Sequence, residues 1–92
     1  MYIYNVTINI SDEVHQEWLT WMETHIQDVL NTGKFLSAKF TQVLVEEEMG
    51  GKTYSIQYTA STKEDLQDYY KEDAEGLRME SAKKFGDKML TF

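Results

Sequence analysis

Residues 2–10, YIYNVTINI, alternate between two sets of side chains without a break. A period of two is the period of a β-strand, so Tyr2, Tyr4, Val6, Ile8 and Ile10 share one face and Ile3, Asn5, Thr7 and Asn9 the other. A strand with one apolar face must be covered on that side. The period changes directly afterwards. Ser11 offers an N-cap oxygen, and Asp12 and Glu13 place negative charge where the first free N–H groups of a helix point. The spacing predicts a helix over residues 12–31, ended at Gly33.

The same two periods then recur in reverse balance. Between residues 35 and 46 the even positions Leu36, Ala38, Phe40 and Leu44 are apolar, interrupted by Gln42, which predicts a second strand. Gly50 and Gly51 supply a turn that tolerates positive φ, and Tyr54, Ile56, Tyr58 and Ala60 mark the third strand of a hairpin. STKEDL matches the capping box in two registers, Ser61 to Glu64 and Thr62 to Asp65, so a second helix begins here. Its expected core positions are Leu66, Tyr70, Ala74, Leu77, Ser81 and Phe85. Gly76 inside it costs about 1 kcal/mol relative to alanine, which predicts a kink or break near EDAEG. Gly86 closes the helix, and KMLTF forms a last short strand. The order β-α-β-β-α-β is that of an α+β, ferredoxin-like sandwich: a four-stranded antiparallel sheet with two helices on one face.

Ninety-two residues make one domain, 1–92, with a core small enough that extra burial through self-association would be physically useful. The chain has no cysteine, which removes disulfides and thiolate chemistry and suits a reducing compartment, so the cytoplasm is expected. The N-terminus lacks the basic flank and long apolar run of a signal peptide, and no segment is long enough to span a bilayer. A net charge of -7, with nine basic residues scattered along the chain, argues against nucleic acid and anionic membranes as partners. Lys83, Lys84 and Lys88 are the one local basic cluster, and the first two suit a helix C-terminus.

The sheet face turned away from the helices should carry Asn5, Thr7 and Asn9 from the first strand, Ser37, Lys39 and Thr41 from the second, and Ser55, Gln57 and Thr59 from the third. Only Lys39 is charged, although charge is abundant elsewhere in the chain. A neutral hydrogen-bonding face suits covering by a second copy, so a homodimer through this open face is expected. RNA-recognition modules share the element order, but they place aromatics on the open face and surround them with basic residues. Here Tyr2, Tyr4, Tyr54 and Tyr58 have the parity of the helix-covered face.

Motifs that would carry chemistry are scarce. GGKT at residues 50–53 resembles the end of a phosphate-binding loop, yet Glu46 stands where that pattern needs glycine and a strand follows where it needs a helix. Glu46, Glu47 and Glu48 read as a solvated hairpin tip. The two histidines lie ten residues apart on one helix, which matches no metal-ligand spacing, so no metal and no cofactor is expected. The segment EWLTWMETHI is the exception. Val14, Trp18, Trp21, Met22, His25 and Val29 fall on one helical stripe with His25 near its middle. Most of such a stripe is core. An imidazole within it needs hydrogen-bond partners, from Asp28 or a sheet hydroxyl, or else borders a cavity. His25, Trp21 and Trp18 are therefore the candidate ligand-binding residues; no catalytic residue stands out.

The segments YNVTINI, EWLTWMETHI, VLNTGKF, VLVEEE, GGKTYSIQY and KFGDKMLTF resemble, over nearly the whole chain, a family of short bacterial proteins classed as a domain of unknown function. The resemblance implies a ferredoxin-like subunit that pairs sheet to sheet as a dimeric α/β barrel, an architecture also used by small monooxygenases and isomerases. It implies no activity. Many relatives carry proline where this chain has Gln27 and often histidine where it has Ser81, which weakens any catalytic pairing with His25. They also tend to continue beyond the position of Phe92, so the last strand is expected to be incomplete. Three functions follow: a homodimer holding a small, partly apolar ligand near the first helix; an interaction protein without a ligand; or a small cofactor-free enzyme.

Overall fold

The computed structural model describes residues 1–45 and 50–92. Strand β1 spans Tyr2–Ile10, β2 Ser37–Val43, β3 Lys52–Ala60 and β4 Met89–Thr91, in the antiparallel order β2-β3-β1-β4. Helix α1 is His15–Leu30, α2 Lys63–Glu72 and α3 Ala74–Phe85, all carried on the face of Tyr4, Val6, Ile8, Ile56 and Tyr58. This is the expected ferredoxin-like arrangement, with its second helix divided in two. Among the described residues no helix is long and apolar enough to cross a membrane.

The central pair β1–β3 aligns Tyr4 with Tyr58, Val6 with Ile56 and Ile8 with Tyr54. Residues directly opposite share a face, so the alternation seen in the sequence builds one continuous apolar floor. Trp18, Met22 and Val29 of α1 lie buried on that floor, and Trp18 packs against Tyr54 and Phe40 at ring distances of 5.0 and 5.7 Å.

Several local expectations are corrected. The first turn after Ser11 is a 3-10 turn, Asp12–Val14, and among the described residues the Ser11 side chain makes no capping bond; its N–H donates to the Lys88 carbonyl at 2.9 Å, linking the residue after β1 to the residue before β4. Of the two capping registers before α2, Thr62 is used: its hydroxyl accepts from the Asp65 N–H at 3.1 Å. The break falls at Asp73, before Gly76, and shifts the helical phase. Tyr69 therefore becomes the buried residue of α2 while Tyr70 is 47% exposed, and Ala74, Ser81 and Phe85 of α3 return to the core. Lys34 clamps this joint by ion pairs to Glu72 at 3.1 Å and Asp73 at 3.0 Å.

Strand β2 is shorter than its alternation suggested. Leu36 and Leu44 lie outside it and are exposed, while Phe35 is buried against Tyr58 and Tyr69. The acidic run Glu46 to Glu48 lies outside the described residues. On the open face the Ser55 hydroxyl donates to the Asn5 side-chain oxygen at 2.7 Å, and the Asn5 amide to the Thr7 hydroxyl at 3.3 Å. The β4 register adds Leu90, opposite Asn9, and Phe92, whose N–H donates to the Thr7 carbonyl at 2.8 Å. With Ile3 they give this otherwise polar face three exposed apolar side chains.

Candidate functional site

Helix α1 carries Met22, His25 and Val29 at positions i, i+3 and i+7, a spacing that aims all three at one line. Helix α3 presents Leu77, Arg78 and Ser81 beside them. Between the two helices and β1 lies a cavity of about 330 Å³. Its floor is Val6, Ile8 and Ile56, its roof Met22 and Val29, and its polar groups are His25, Ser81, Arg78, Thr91 and three tyrosines. A volume of this size, mostly apolar with a few converging polar groups, has the character of a small-molecule site.

His25 lines the cavity with its ring stacked on Trp21, centroids 4.5 Å apart and planes 18° apart. Trp21 is held in turn by Phe85 of α3, edge to face at 5.3 Å. The His25 Nδ1 is buried and has no hydrogen-bond partner among the described residues; neither Asp28 nor a sheet hydroxyl reaches it. Burial pushes the His25 pKa below the ordinary imidazole value, while the carboxylates of Glu80 and Asp28 pull it back up. The neutral ring is thus the favoured form in the folded chain.

A stability test follows from that shift. Because the folded imidazole binds its proton less readily than the unfolded one, the unfolded state takes up the proton first as the solution is acidified below about pH 6.5. The stabilisation is complete above that value and is lost as pH falls towards the folded-state pKa. Urea unfolding of wild type and His25→Leu between pH 7.5 and about 5.5 should show the wild type losing more stability on acidification than the variant. Parallel pH profiles would rule out the shift.

At the other end of the cavity Tyr4, Tyr58 and Tyr69 converge. The Tyr4 ring lies 5.9 Å from Tyr58 and 5.4 Å from Tyr69. Burial, reinforced by the neighbouring phenols, drives the Tyr58 and Tyr69 pKa values well above the ordinary tyrosine range, so both hydroxyls keep their protons. Arg78 donates from Nη2 to the Tyr4 hydroxyl at 3.1 Å and lies 6.0 Å from the centre of the Tyr70 ring. Its guanidinium therefore sits against aromatic groups at the solvent side of the cavity.

The three residues singled out by helical phase are placed differently. His25 lines the cavity, Trp21 stands behind it, and Trp18 is turned towards β3 and β2, fully buried, with its Nε1 lacking a partner among the described residues. The other histidine, His15, is the one with a partner: its Nε2 and the Tyr54 hydroxyl are 2.6 Å apart. Sequence reasoning missed Arg78, Tyr4 and Tyr69 as cavity residues. One signal was available, since Arg78 lies one residue after Leu77 and three before Ser81, both expected core positions, and is the sole arginine of the chain.

A family model described as a domain of unknown function (DUF4286) matches residues 1–92. No curated protein matches the chain.

Proposed function

Starting from the fact that the chain belongs to the DUF4286 family, whose description assigns no activity, we propose that it is a cytoplasmic binding protein for a small, partly apolar ligand held in the cavity beneath α1 and α3. The observation that carries this reading is the unpartnered buried Nδ1 of His25 in a side chain that lines that cavity. A buried polar atom without a partner costs about 1–3 kcal/mol, a cost that a ligand polar group could offset. Arg78 and the protonated hydroxyls of Tyr58 and Tyr69 at the far end would complete its orientation.

Trp21, stacked on His25, is the built-in reporter. Titration with aromatic and acyl metabolites should change tryptophan fluorescence and raise the melting temperature, as any ligand selective for the folded state must. His25→Ala should weaken the response; Trp21→Phe should remove most of the fluorescence change and keep the thermal shift. A ligand response that both substitutions leave intact would place the ligand elsewhere.

The open sheet face supports a second element, self-association into a homodimer. Ile3, Leu90 and Phe92 are exposed on a face whose other side chains are mostly uncharged, with Phe92 77% exposed. Covering them with a second copy would bury apolar surface without stranding charge. Sedimentation should give a dimer at tens of micromolar, roughly the range of an ordinary dimer affinity, and Ile3→Asp should shift it to monomer. A wild-type monomer throughout that range would remove the dimer. An interaction protein without a ligand and a small cofactor-free enzyme are the remaining alternatives.

A further inference from the structure

Within the cavity reading, and resting on it, the identity of the ligand's polar end can be read from Arg78. Sixteen acidic residues accompany nine basic ones in this chain, and Arg78 is the basic residue that lines the cavity. Four of the eight lysines, Lys34, Lys52, Lys84 and Lys88, pair with a carboxylate. Arg78 does not: among the described residues no carboxylate comes within ion-pair distance of it, and its hydrogen-bond partner is the neutral Tyr4 hydroxyl. The bond to Tyr4 and the Tyr70 ring fix the plane of the guanidinium while occupying few of its five N–H donors.

We propose that the cavity selects an organic carboxylate with a compact apolar or aromatic body, its carboxylate held by Arg78 with Tyr4 and Tyr69 and its body lying between Val29 and Ile56. The phenols contribute donors, since Tyr58 and Tyr69 keep their protons and cannot repel an anion. A planar guanidinium pairs with a carboxylate through two parallel N–H···O bonds, which a neutral amide cannot reproduce. The net charge of -7 works against adventitious anion binding, so any preference for an acid must come from the local site. The cavity volume of about 330 Å³ limits the body to about one ring or a short acyl chain.

The test uses matched pairs: phenylacetate with phenylacetamide, 4-phenylbutyrate with its amide, and octanoate with octanamide. Each is titrated calorimetrically into the full chain, with phenethylamine as the cationic control. At least one acid should bind about ten-fold or more tightly than its amide, and added salt should weaken the acid alone. Arg78→Met, whose folding is checked by its melt, should bring that acid level with its amide. Tyr4→Phe should shrink the preference through loss of the bond that positions the guanidinium.

Equal affinity of acid and amide in the wild type overturns the carboxylate assignment and leaves the cavity reading standing. So does a preference for the amine, or an acid preference that survives in Arg78→Met. If no acid and no amide of any pair binds at millimolar concentration, both readings fail together.

Discussion

Trp18→Ala is expected to cost about 3–5 kcal/mol, the range for truncating a fully buried aromatic. Trp18 is 0% exposed and is wedged between Tyr54 on the sheet floor and Phe40 on the edge strand. Its removal opens a void beneath α1 and cuts the main link between that helix and β2 and β3. Domains of this size have a total stability of roughly 5–15 kcal/mol, so the variant should lie near or below half-folded at moderate urea. Trp18→Phe retains an aromatic wedge and loses an N–H that has no partner, so it should cost clearly less. Urea titration followed by circular dichroism decides between them. A Trp18→Ala loss well below about 3–5 kcal/mol would mean that the indole is not a packing element.

The second large effect concerns one glycine of a pair. Gly50 and Gly51 both have φ near +78°, in the region that disfavours any side chain, so alanine at either position costs about 1–2 kcal/mol in backbone conformation. At Gly50 a Cβ would meet none of the described residues. At Gly51 it would stand 2.5 Å from the Ile10 carbonyl oxygen and 3.1 Å from the Asn9 side-chain oxygen. Neither can withdraw easily: Ile10 is paired in β1, and the Asn9 amide is held by the Gly50 carbonyl at 3.2 Å and the Thr53 hydroxyl at 3.4 Å. Gly51→Ala should therefore destabilise by well over twice the Gly50→Ala loss, with the excess coming from displacement of the β1 end. Similar melting temperatures for the two variants would overturn the close-approach argument.

These two sites also show where sequence patterning was sufficient. The GG turn, the alternating strands and the capping residues are local devices, each acting through a few neighbouring residues, and their order was enough to specify an antiparallel sheet with helices on one face. Asp73 marks the limit of that logic. The break was expected near EDAEG, but the residue at which the helix parted set a new phase. That phase buried Tyr69 and exposed Tyr70, a choice that helical periodicity alone had assigned the other way. Ser11 does not cap through its side chain because the chain starts there as a 3-10 turn, closed by the Ser11 carbonyl accepting from the Val14 N–H at 3.2 Å.

The candidate site divides along the same line. From the sequence alone came the element order, the apolar floor of the sheet, the burial of Trp18 and the anomaly of an imidazole inside an apolar stripe. Each depends on chemical type and spacing along one strand or helix, which the chain carries wherever it goes. Tertiary structure alone decided that His25 meets a cavity and Trp18 does not, that His15 takes the tyrosine hydroxyl, and that Arg78 joins three phenols from β1, β3 and α2. Those outcomes depend on side chains brought together from positions as far apart as Tyr4 and Arg78, where small changes in helix phase and strand register determine which atoms meet. No periodicity along the chain encodes such a meeting, because the space it encloses exists only after the helices have settled on the sheet.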